Sequence, residues 1–279
     1  MKRIMMTNRS RNGTLIVIII SVIFIALACT TVPLTGRKQL SLIPESEMMS
    51  LSLTEYGKFL KANKVSTDKA KTDMVKRVGL RISKAVEGYM AQQGLSANLQ
   101  GYAWEFNLVE DPAVNAWCMS GGKVVVYTGL LPVAQTEAGL ATVMGHEIAH
   151  AVARHGSERM SDQMLVDLGG MTLSAALASK PQETQQLAMI AFGVGSQYGV
   201  VLPFSRKHEY EADYMGLIFM SMAGYNPNES VTFWQRMAKQ GGAKPPEFLS
   251  THPVDENRIA KIKEKLPEAL VYYNKAVKK

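Results

Sequence analysis

Three residues of one short motif limit what the middle of this chain can form: His146, Glu147 and His150 make up H-E-x-x-H. The apolar pattern over 136–155 predicts a helix, and residues four apart on a helix share a face, so both imidazoles can reach one metal ion. Zinc accepts neutral imidazole nitrogens, and Glu147 is placed to take a proton from a metal-activated water. The alternative is a pair of surface histidines. With only 5 histidines in 279 residues, the motif on a predicted helix favours a metal site.

A catalytic zinc site needs a third protein ligand, with the fourth position left to water. The candidates by residue type are His155, His208, Glu209, Glu211 and His252. On one continuous helix His155 lies roughly 140° from the ligand face, so it is predicted to end that helix instead. Glu209 and Asp213 are four residues apart and share a face, which lets Glu209 bind metal while Asp213 orients a ligand histidine. Residue type alone does not decide between Glu209 and His208.

The N-terminus has the pattern of an export signal. Basic residues precede an apolar run over 15–28, and this run is shorter than the about 20 residues that a spanning helix needs. We therefore expect a cleaved lipoprotein-type signal peptide over 1–28 rather than an uncleaved anchor. Small residues before Cys29 resemble a bacterial lipobox, so an acylated Cys29 is expected to bind the lipid membrane through a tether over 29–44. Thr30 favours the periplasmic face of an outer membrane in the cell envelope.

The charge and the second cysteine add little about partners. Part of the net charge of +7 belongs to the N-terminal segment, so we expect no nucleic-acid partner, which would need a clustered basic face. Cys118 is expected to be a small, partly buried side chain rather than a zinc-binding switch.

Residues 45–279 are predicted to form one domain of the α+β class, mainly helical with a small sheet. Predicted helices cover 44–63, 68–93, 136–155, 157–179, 183–198, 206–223, 227–240 and 255–265, and predicted strands cover 102–109 and 124–127. Three methionines, Met160, Met164 and Met171, are expected to fill the core. The apolar stretch 163–179 is too short to span a membrane and is expected to be a buried or interfacial helix.

Several further motifs occur in a fixed order along the chain. They are Asn115-Ala116-Trp117, Gly121-Gly122 with Gly129-Leu130-Leu131, the H-E-x-x-H motif, Glu209 to Asp213, and Thr251-His252-Pro253 followed by Arg258. Over residues 45–265 the chain resembles the HtpX and CAAX-prenyl-endopeptidase family of gluzincin zinc metallopeptidases, especially its soluble periplasmic lipoprotein members. Integral-membrane relatives carry long spanning helices, and none is expected here.

The resemblance implies a gluzincin metalloprotease fold and specific roles. Glu209 is the implied third zinc ligand, and Asp213 orients a ligand. The strand over 122–127 is implied to be the edge strand that flanks the H-E-x-x-H helix and pairs with extended substrate. His252 is implied to lie near the zinc, either stabilising an oxyanion or occupying the open metal position at rest; the alternative is a cap before the last helix. Arg258 could pair with a carboxylate in the site or have a structural role on that helix, and the structural role is favoured.

These inferences predict a zinc metalloendopeptidase with one Zn²⁺ per chain and with Glu147 and His252 as catalytic residues. Its expected substrates are unfolded or misassembled envelope proteins. The alternative is a zinc-stabilised lipoprotein chaperone or assembly factor with a latent site. Glu147 discriminates between the two, because a purely structural site has no use for that carboxylate.

Overall fold

The computed structural model describes residues 29–240, 248–249, 252 and 256–278, the side chains at positions 203, 204 and 256 excepted. The predicted signal peptide over 1–28 lies outside the described residues.

Helices dominate the fold. They are α1 Glu45–Ala62, α2 Lys69–Gln92, α3 Leu131–Ala134, α4 Glu137–Val152, α5 His155–Leu177, α6 Gln182–Ser196, α7 Leu202–Met222, α8 Asn228–Lys239 and α9 Glu256–Ala276, with a π-turn over Gln197–Val201 between α6 and α7. The strands are β1 Cys29–Thr31, β2 Lys38–Leu40, β3 Glu105–Val109, β4 Ala116–Met119 and β5 Lys123–Tyr127. The predicted mainly helical α+β class is confirmed.

The strands form two small sheets. β1 and β2 pair as an antiparallel hairpin, and the larger sheet has the order β3-β5-β4, with β5 parallel to β3 and antiparallel to β4. The prediction that the strand over 122–127 is an edge strand is therefore wrong, because β5 is central. The edge strand that packs on the H-E-x-x-H helix is β4, which the sequence pattern did not predict.

Helix α4 lies at the centre of the core, and the fold positions the site through it. The Thr136 side chain accepts a hydrogen bond from the Gly139 backbone N–H and so caps the start of the helix. Every residue over 139–152 is buried, because α2, α7, α8 and β4 pack around this helix. An enclosed helix with no polar face holds its histidines in one orientation.

Two glycines allow α4 and α7 to approach closely. A Cβ on Gly216 of α7 would lie 2.7 Å from the backbone nitrogen of His146, and a Cβ on Gly145 of α4 would lie 2.9 Å from the Gly216 carbonyl oxygen. Real Cβ atoms do not tolerate such distances, so glycine at both positions sets the separation of the two helices.

The segment expected to be a tether is folded over its described residues. Val32, only 1% exposed, belongs to the main core, and Arg37 forms ion pairs with Glu158 and Glu211. The β1–β2 hairpin thus packs against α5 and α7.

Beyond its first two turns, α5 leaves the core with α6 as an exposed helical hairpin. The buried side chains of α5 all lie over 155–161. Met160, Met164 and Met171 are 39%, 51% and 70% exposed, so the expectation that these methionines fill the core is wrong.

The second arm of this hairpin continues through the π-turn into α7. The resulting helix, Gln182–Met222, is 41 residues long, and of the described residues it alone is long and apolar enough to cross a membrane by length and composition. Its apolar window is not buried. No helix of this kind was expected, because 183–198 and 206–223 were predicted as separate helices, whereas the structure joins them.

Candidate metal site

The two histidines of the motif converge at the centre of the molecule. His146 and His150 are 1% and 5% exposed, and their Nε2 atoms lie 3.1 Å apart. One helical turn separates the residues, as the spacing predicts.

Helix α7 brings Glu209 to the same point. Its carboxylate oxygens lie 3.3 Å from Nε2 of His146 and 3.3 Å from Nε2 of His150. Zinc bonds of about 2.0–2.1 Å in a tetrahedral arrangement separate neighbouring ligand atoms by about 3.3 Å. The three donor groups therefore have the spacing that one zinc ion requires, and His208 lies elsewhere.

His252 supplies a fourth donor. Its Nδ1 lies 3.0 Å from Glu209 and 3.2 Å from Nε2 of His146. The ligand atoms of His146, His150, Glu209 and His252 all lie within 4.8 Å of one another. Of the two implied roles for His252, this position fits occupation of the open metal position at rest.

Glu147 lies beside this group without joining it. The side chain is buried, with Oε1 3.6 Å from Nε2 of His252 and 4.0 Å from Nε2 of His146. Within the described part of the chain, Oε1 accepts no hydrogen bond. Burial raises the pKa of this carboxyl, although the neighbouring His252 and His146 oppose the shift. A buried carboxylate with one unsatisfied oxygen next to two imidazoles and a carboxylate fits a metal site that holds an activated water.

Asp213, one turn after Glu209, holds His146. Its Oδ1 lies 3.0 Å from Nδ1 of His146, so an N–H on Nδ1 leaves the Nε2 lone pair pointing at the donor group. Arg258 donates to both oxygens of Asp213, at 2.6 and 2.8 Å, and also lies 3.4 Å from Glu209.

Of the two roles considered for Arg258, the structure supports pairing with a carboxylate of the site, which was the less favoured one. The side chain is 1% exposed, and its guanidinium stacks 3.6 Å from the Trp234 ring centre. It donates at 3.2 Å to the backbone carbonyl of His252. Arg258 thus holds Asp213 of α7 and the backbone of His252 in place around the candidate metal site.

His155 has a parallel role toward His150, which sequence reasoning missed. The prediction placed it at the end of α4, but Arg154 adopts a left-handed conformation (φ 58) and separates α4 from α5. The chain turns there, and Nδ1 of His155 comes 2.8 Å from Nδ1 of His150. Nε2 of His155 lies 2.9 Å from Glu211.

One set of tautomers satisfies this chain of contacts. An N–H on Nε2 of His155 donates to Glu211, and an N–H on Nδ1 of His150 donates to Nδ1 of His155. That assignment leaves the Nε2 lone pair of His150 facing the metal position. Burial lowers the pKa of His155 to about 4, so this histidine is neutral, as the assignment requires.

The electrostatics of the donor group suit a cation. Burial would raise the pKa of Glu209, but the neighbouring histidines lower it far below its ordinary value. Burial lowers the pKa of His150. For His146 burial also lowers the pKa, yet Asp213 and Glu209 outweigh it and raise the value to about 9. A carboxylate that stays charged among imidazoles is a strong cation ligand.

The edge strand β4 borders the site. Cys118 on this strand is partly buried, as expected, and burial with the nearby Glu147 charge raises the pKa of its thiol well above the ordinary value. It is not part of the donor group. Cys29 is exposed at the start of β1.

Comparison with known proteins places these features in a family. A model of peptidase family M48 matches residues 79–266. The chain belongs to peptidase family M48. This match spans α4, Glu209, His252 and Arg258, and it confirms the predicted assignment to HtpX-like zinc metallopeptidases.

Curated relatives of the M48 chain carry peptidase names. The mitochondrial metalloendopeptidase OMA1 of Schizosaccharomyces pombe is 40% identical over 194 residues, covering 69% of this chain and 54% of that protein. The mitochondrial metalloendopeptidase OMA1 of Homo sapiens is 32% identical over 249 residues, covering 85% and 46%. The beta-barrel assembly-enhancing protease of Escherichia coli K12 is 32% identical over 170 residues, covering 59% and 34%. The chain thus spans about a third to a half of the length of these relatives.

Proposed function

We propose that this protein is a zinc-dependent metalloendopeptidase that hydrolyses peptide bonds in other proteins. The observation that carries the proposal is the spacing of the donor atoms of His146, His150 and Glu209, at 3.1–3.3 Å, next to the unsatisfied buried oxygen of Glu147. Membership of peptidase family M48 supports the same conclusion.

Each residue of the site has its own proposed role in catalysis. Bound zinc would polarise the substrate carbonyl and lower the pKa of the attacking water. Glu147 takes the proton from the attacking water and returns it to the leaving amine; such general acid–base transfer is worth roughly 10²–10⁴-fold in rate. Asp213 and His155 hold the two ligand histidines in the binding tautomer.

We propose that the substrate is an extended segment of an unfolded or misassembled envelope protein. β4 is an edge strand beside α4, and an edge strand can bind an extended chain through its backbone. Two relatives have names that fit such a role, a mitochondrial metalloendopeptidase and a beta-barrel assembly-enhancing protease.

The site is proposed to be latent at rest. His252 fills the position that a water or a substrate carbonyl needs. Its replacement in His252→Ala opens this position, and we expect faster cleavage of an unfolded protein with zinc retained.

A second function is favoured by the same four donors. A zinc-stabilised lipoprotein chaperone or assembly factor would use a closed site, and structural zinc sites take four protein ligands. If neither the parent nor His252→Ala cleaves any unfolded protein while both retain zinc, this second function replaces the first.

The proposed location is the cell envelope, with an acylated Cys29 in the membrane, on the periplasmic face of the outer membrane. Cys29 is exposed, as a lipid carrier must be. Mass spectrometry of the mature N-terminal peptide tests this: an acylated Cys29 is expected, and a chain that retains residues 1–28 with a free thiol would contradict it.

Two variants separate metal binding from catalysis. Glu209→Ala is expected to lose both zinc and cleavage, because a third ligand is gone. Glu147→Gln is expected to retain one zinc and lose cleavage, because the base is gone. His208→Ala serves as the control, since His208 was the rival ligand candidate. Retained zinc in Glu209→Ala would refute the proposed ligand set.

A further inference from the structure

The α5–α6 hairpin exposes an apolar surface that the peptidase chemistry does not use. Exposed fractions reach 70% at Met171, 68% at Leu187 and 63% at Ile190, and Leu168, Val194 and Tyr198 are also more than half exposed. On α6 and the following π-turn, the residues at 187, 190, 194 and 198 follow helical spacing and form one stripe. Soluble proteins rarely leave so many large apolar side chains together in water.

The charge pattern of the hairpin distinguishes a lipid contact from an ordinary surface. No charged residue occurs over 168–179 of the first arm or over 184–205 of the second. Charges return at the turn, with Lys180 and Glu183, and at the base of the second arm, with Arg206 and Lys207. The polar side chains within these stretches are all uncharged, and the lack of charge is typical of a segment in contact with lipid.

Neither burial in a core nor a role as a signal sequence accounts for the composition of the second arm. A core helix of a soluble protein is apolar because it is buried, yet the apolar window within Gln182–Met222 is not buried. A signal sequence lies at the N-terminus, whereas this helix lies in the middle of the chain. The apolar side chains of this arm therefore need an occupant outside the fold, and the lack of charged residues along both arms favours a bilayer.

The length of the first arm favours a hairpin that lies in the plane of the bilayer surface. The charge-free part of α5 over 168–177 is about 15 Å long, well short of the about 30 Å of a hydrocarbon core. A crossing hairpin would therefore bring Asp162 and Asp167 into hydrocarbon, at a cost of several kcal/mol. A helix lying in the headgroup region keeps these groups in water.

The N-terminal segment brings the expected lipid carrier close to the base of the α5–α6 hairpin. Cys29 pairs with Leu40 in the β1–β2 hairpin. The next residue, Ser41, places its hydroxyl 3.0 Å from that of Ser157, and the Leu42 N–H donates to Ser161, both on the first turns of α5.

We propose that the α5–α6 hairpin binds the headgroup–acyl boundary of a phospholipid bilayer and is a second membrane contact beside Cys29. The two arms lead directly into the metal site, since α5 begins at His155 and the second arm continues to Glu209. Docking therefore holds the site close to the membrane surface. The proposal rests on the envelope location proposed above but not on cleavage.

Site-specific photo-crosslinking identifies the occupant directly. The full chain carries p-benzoylphenylalanine in place of Ile190 and is reconstituted in vesicles of phosphatidylethanolamine and phosphatidylglycerol. A second chain carries the same probe in place of Leu80, which is 48% exposed on α2. After illumination, intact-mass measurement is expected to show a phospholipid adduct at position 190 and several-fold less at position 80. The Glu147→Gln background should give the same adducts, which separates this result from any failure of the peptidase proposal.

The other occupants are distinct outcomes. A dimer adduct at position 190 would show that a second copy covers the hairpin, and an adduct to added unfolded casein would show a substrate surface. Equal lipid adducts at positions 190 and 80 would also overturn the proposal. As a matched pair, Val194→Glu should reduce the adduct at 190 several-fold, and Val271→Glu, on α9, should not.

Discussion

At the scale of single residues, the orientation of each histidine of the H-E-x-x-H motif depends on a partner outside the donor group. His146 is held by Asp213, and His150 is held by His155. Such partners fix the tautomer and the basicity of the ligand, and their loss commonly costs about 10–100-fold in metal affinity.

His155→Phe tests this role. The phenyl ring keeps the stacking that His155 makes with His208, whose ring centre is 4.3 Å away, but it removes the acceptor for His150. We expect zinc affinity, measured by competition with a chelator, to fall about 10–100-fold. His155→Gln restores an acceptor and should recover part of the loss. Parental affinity in a folded His155→Phe chain would show that His155 only packs.

The sequence alone places His146, Glu147 and His150 close together because their geometry is local to one helix. It did not predict the contacts of His155 and Arg258. The position of His155 depends on the left-handed conformation of Arg154, which the sequence does not reveal because this residue is not a glycine. Arg258 contacts Asp213 from another helix. The third ligand was likewise open on residue type alone, and only the family resemblance pointed to Glu209.

At the scale of elements, the site depends on the distance between α4 and α7. Those helices supply His146 and Glu209, and glycines at 145 and 216 let their backbones meet. Any side chain at this contact must push the helices apart, because the atoms it meets belong to the backbone.

Gly216→Ala is therefore expected to destabilise the protein by about 1–3 kcal/mol, as overpacking does, and to weaken zinc binding as well. Thermal unfolding and zinc competition measure the two effects. Gly88→Ala is the control: an added Cβ there meets nothing within 4 Å, and the change should stabilise α2 by about 0.4–1 kcal/mol. Zinc affinity in Gly216→Ala equal to that of Gly88→Ala would show that the helix separation does not control the site.

Element prediction succeeded where periodicity is strong and failed where pairing is non-local. The first two long helices and α4 agree closely with the prediction, whereas α9 was predicted over 255–265 and extends to Ala276. β4 and the β1–β2 hairpin were missed because each strand has only three or four residues. The wrong prediction that β5 is an edge strand has the same cause, because the residue pattern of one strand does not show which strands lie beside it.

At the scale of the whole molecule, the N-terminal hairpin is connected to the helices around the site by buried charges. Arg37 contacts Glu158 of α5 and Glu211 of α7, and Glu158 also contacts His208. Burial would raise the pKa of Glu158, but His208 and Arg37 lower it to about 2; Asp162 also lies nearby.

This shift predicts a specific pH dependence. A carboxylate whose folded-state pKa is depressed stabilises the fold above its ordinary pKa, and that contribution is lost as the pH falls toward 2. The free energy of unfolding of the parent should exceed that of Glu158→Gln at pH 7, and the difference should shrink between about pH 5 and pH 2. Urea unfolding with a chelator present measures it; a difference that stays constant over this range would contradict the assigned pKa.

The exposed methionines show what composition alone leaves open. An apolar side chain on a helix packs into a core, a partner or a lipid surface, and the pattern is the same in all three cases. Met164 and Met171 are exposed because α5 lies outside the core at these positions, and this could not be read from the sequence pattern.

The most direct test of the central claim is a zinc titration of the metal-free full chain and of Glu147→Gln, with cleavage of casein and bound metal measured together. We expect both proteins to bind one zinc, and we expect cleavage to rise with zinc occupancy only in the parent, to a plateau at one equivalent. Cleavage that is independent of zinc, or equal in Glu147→Gln, would contradict a peptidase that uses His146, His150 and Glu209 to hold zinc and Glu147 as its base.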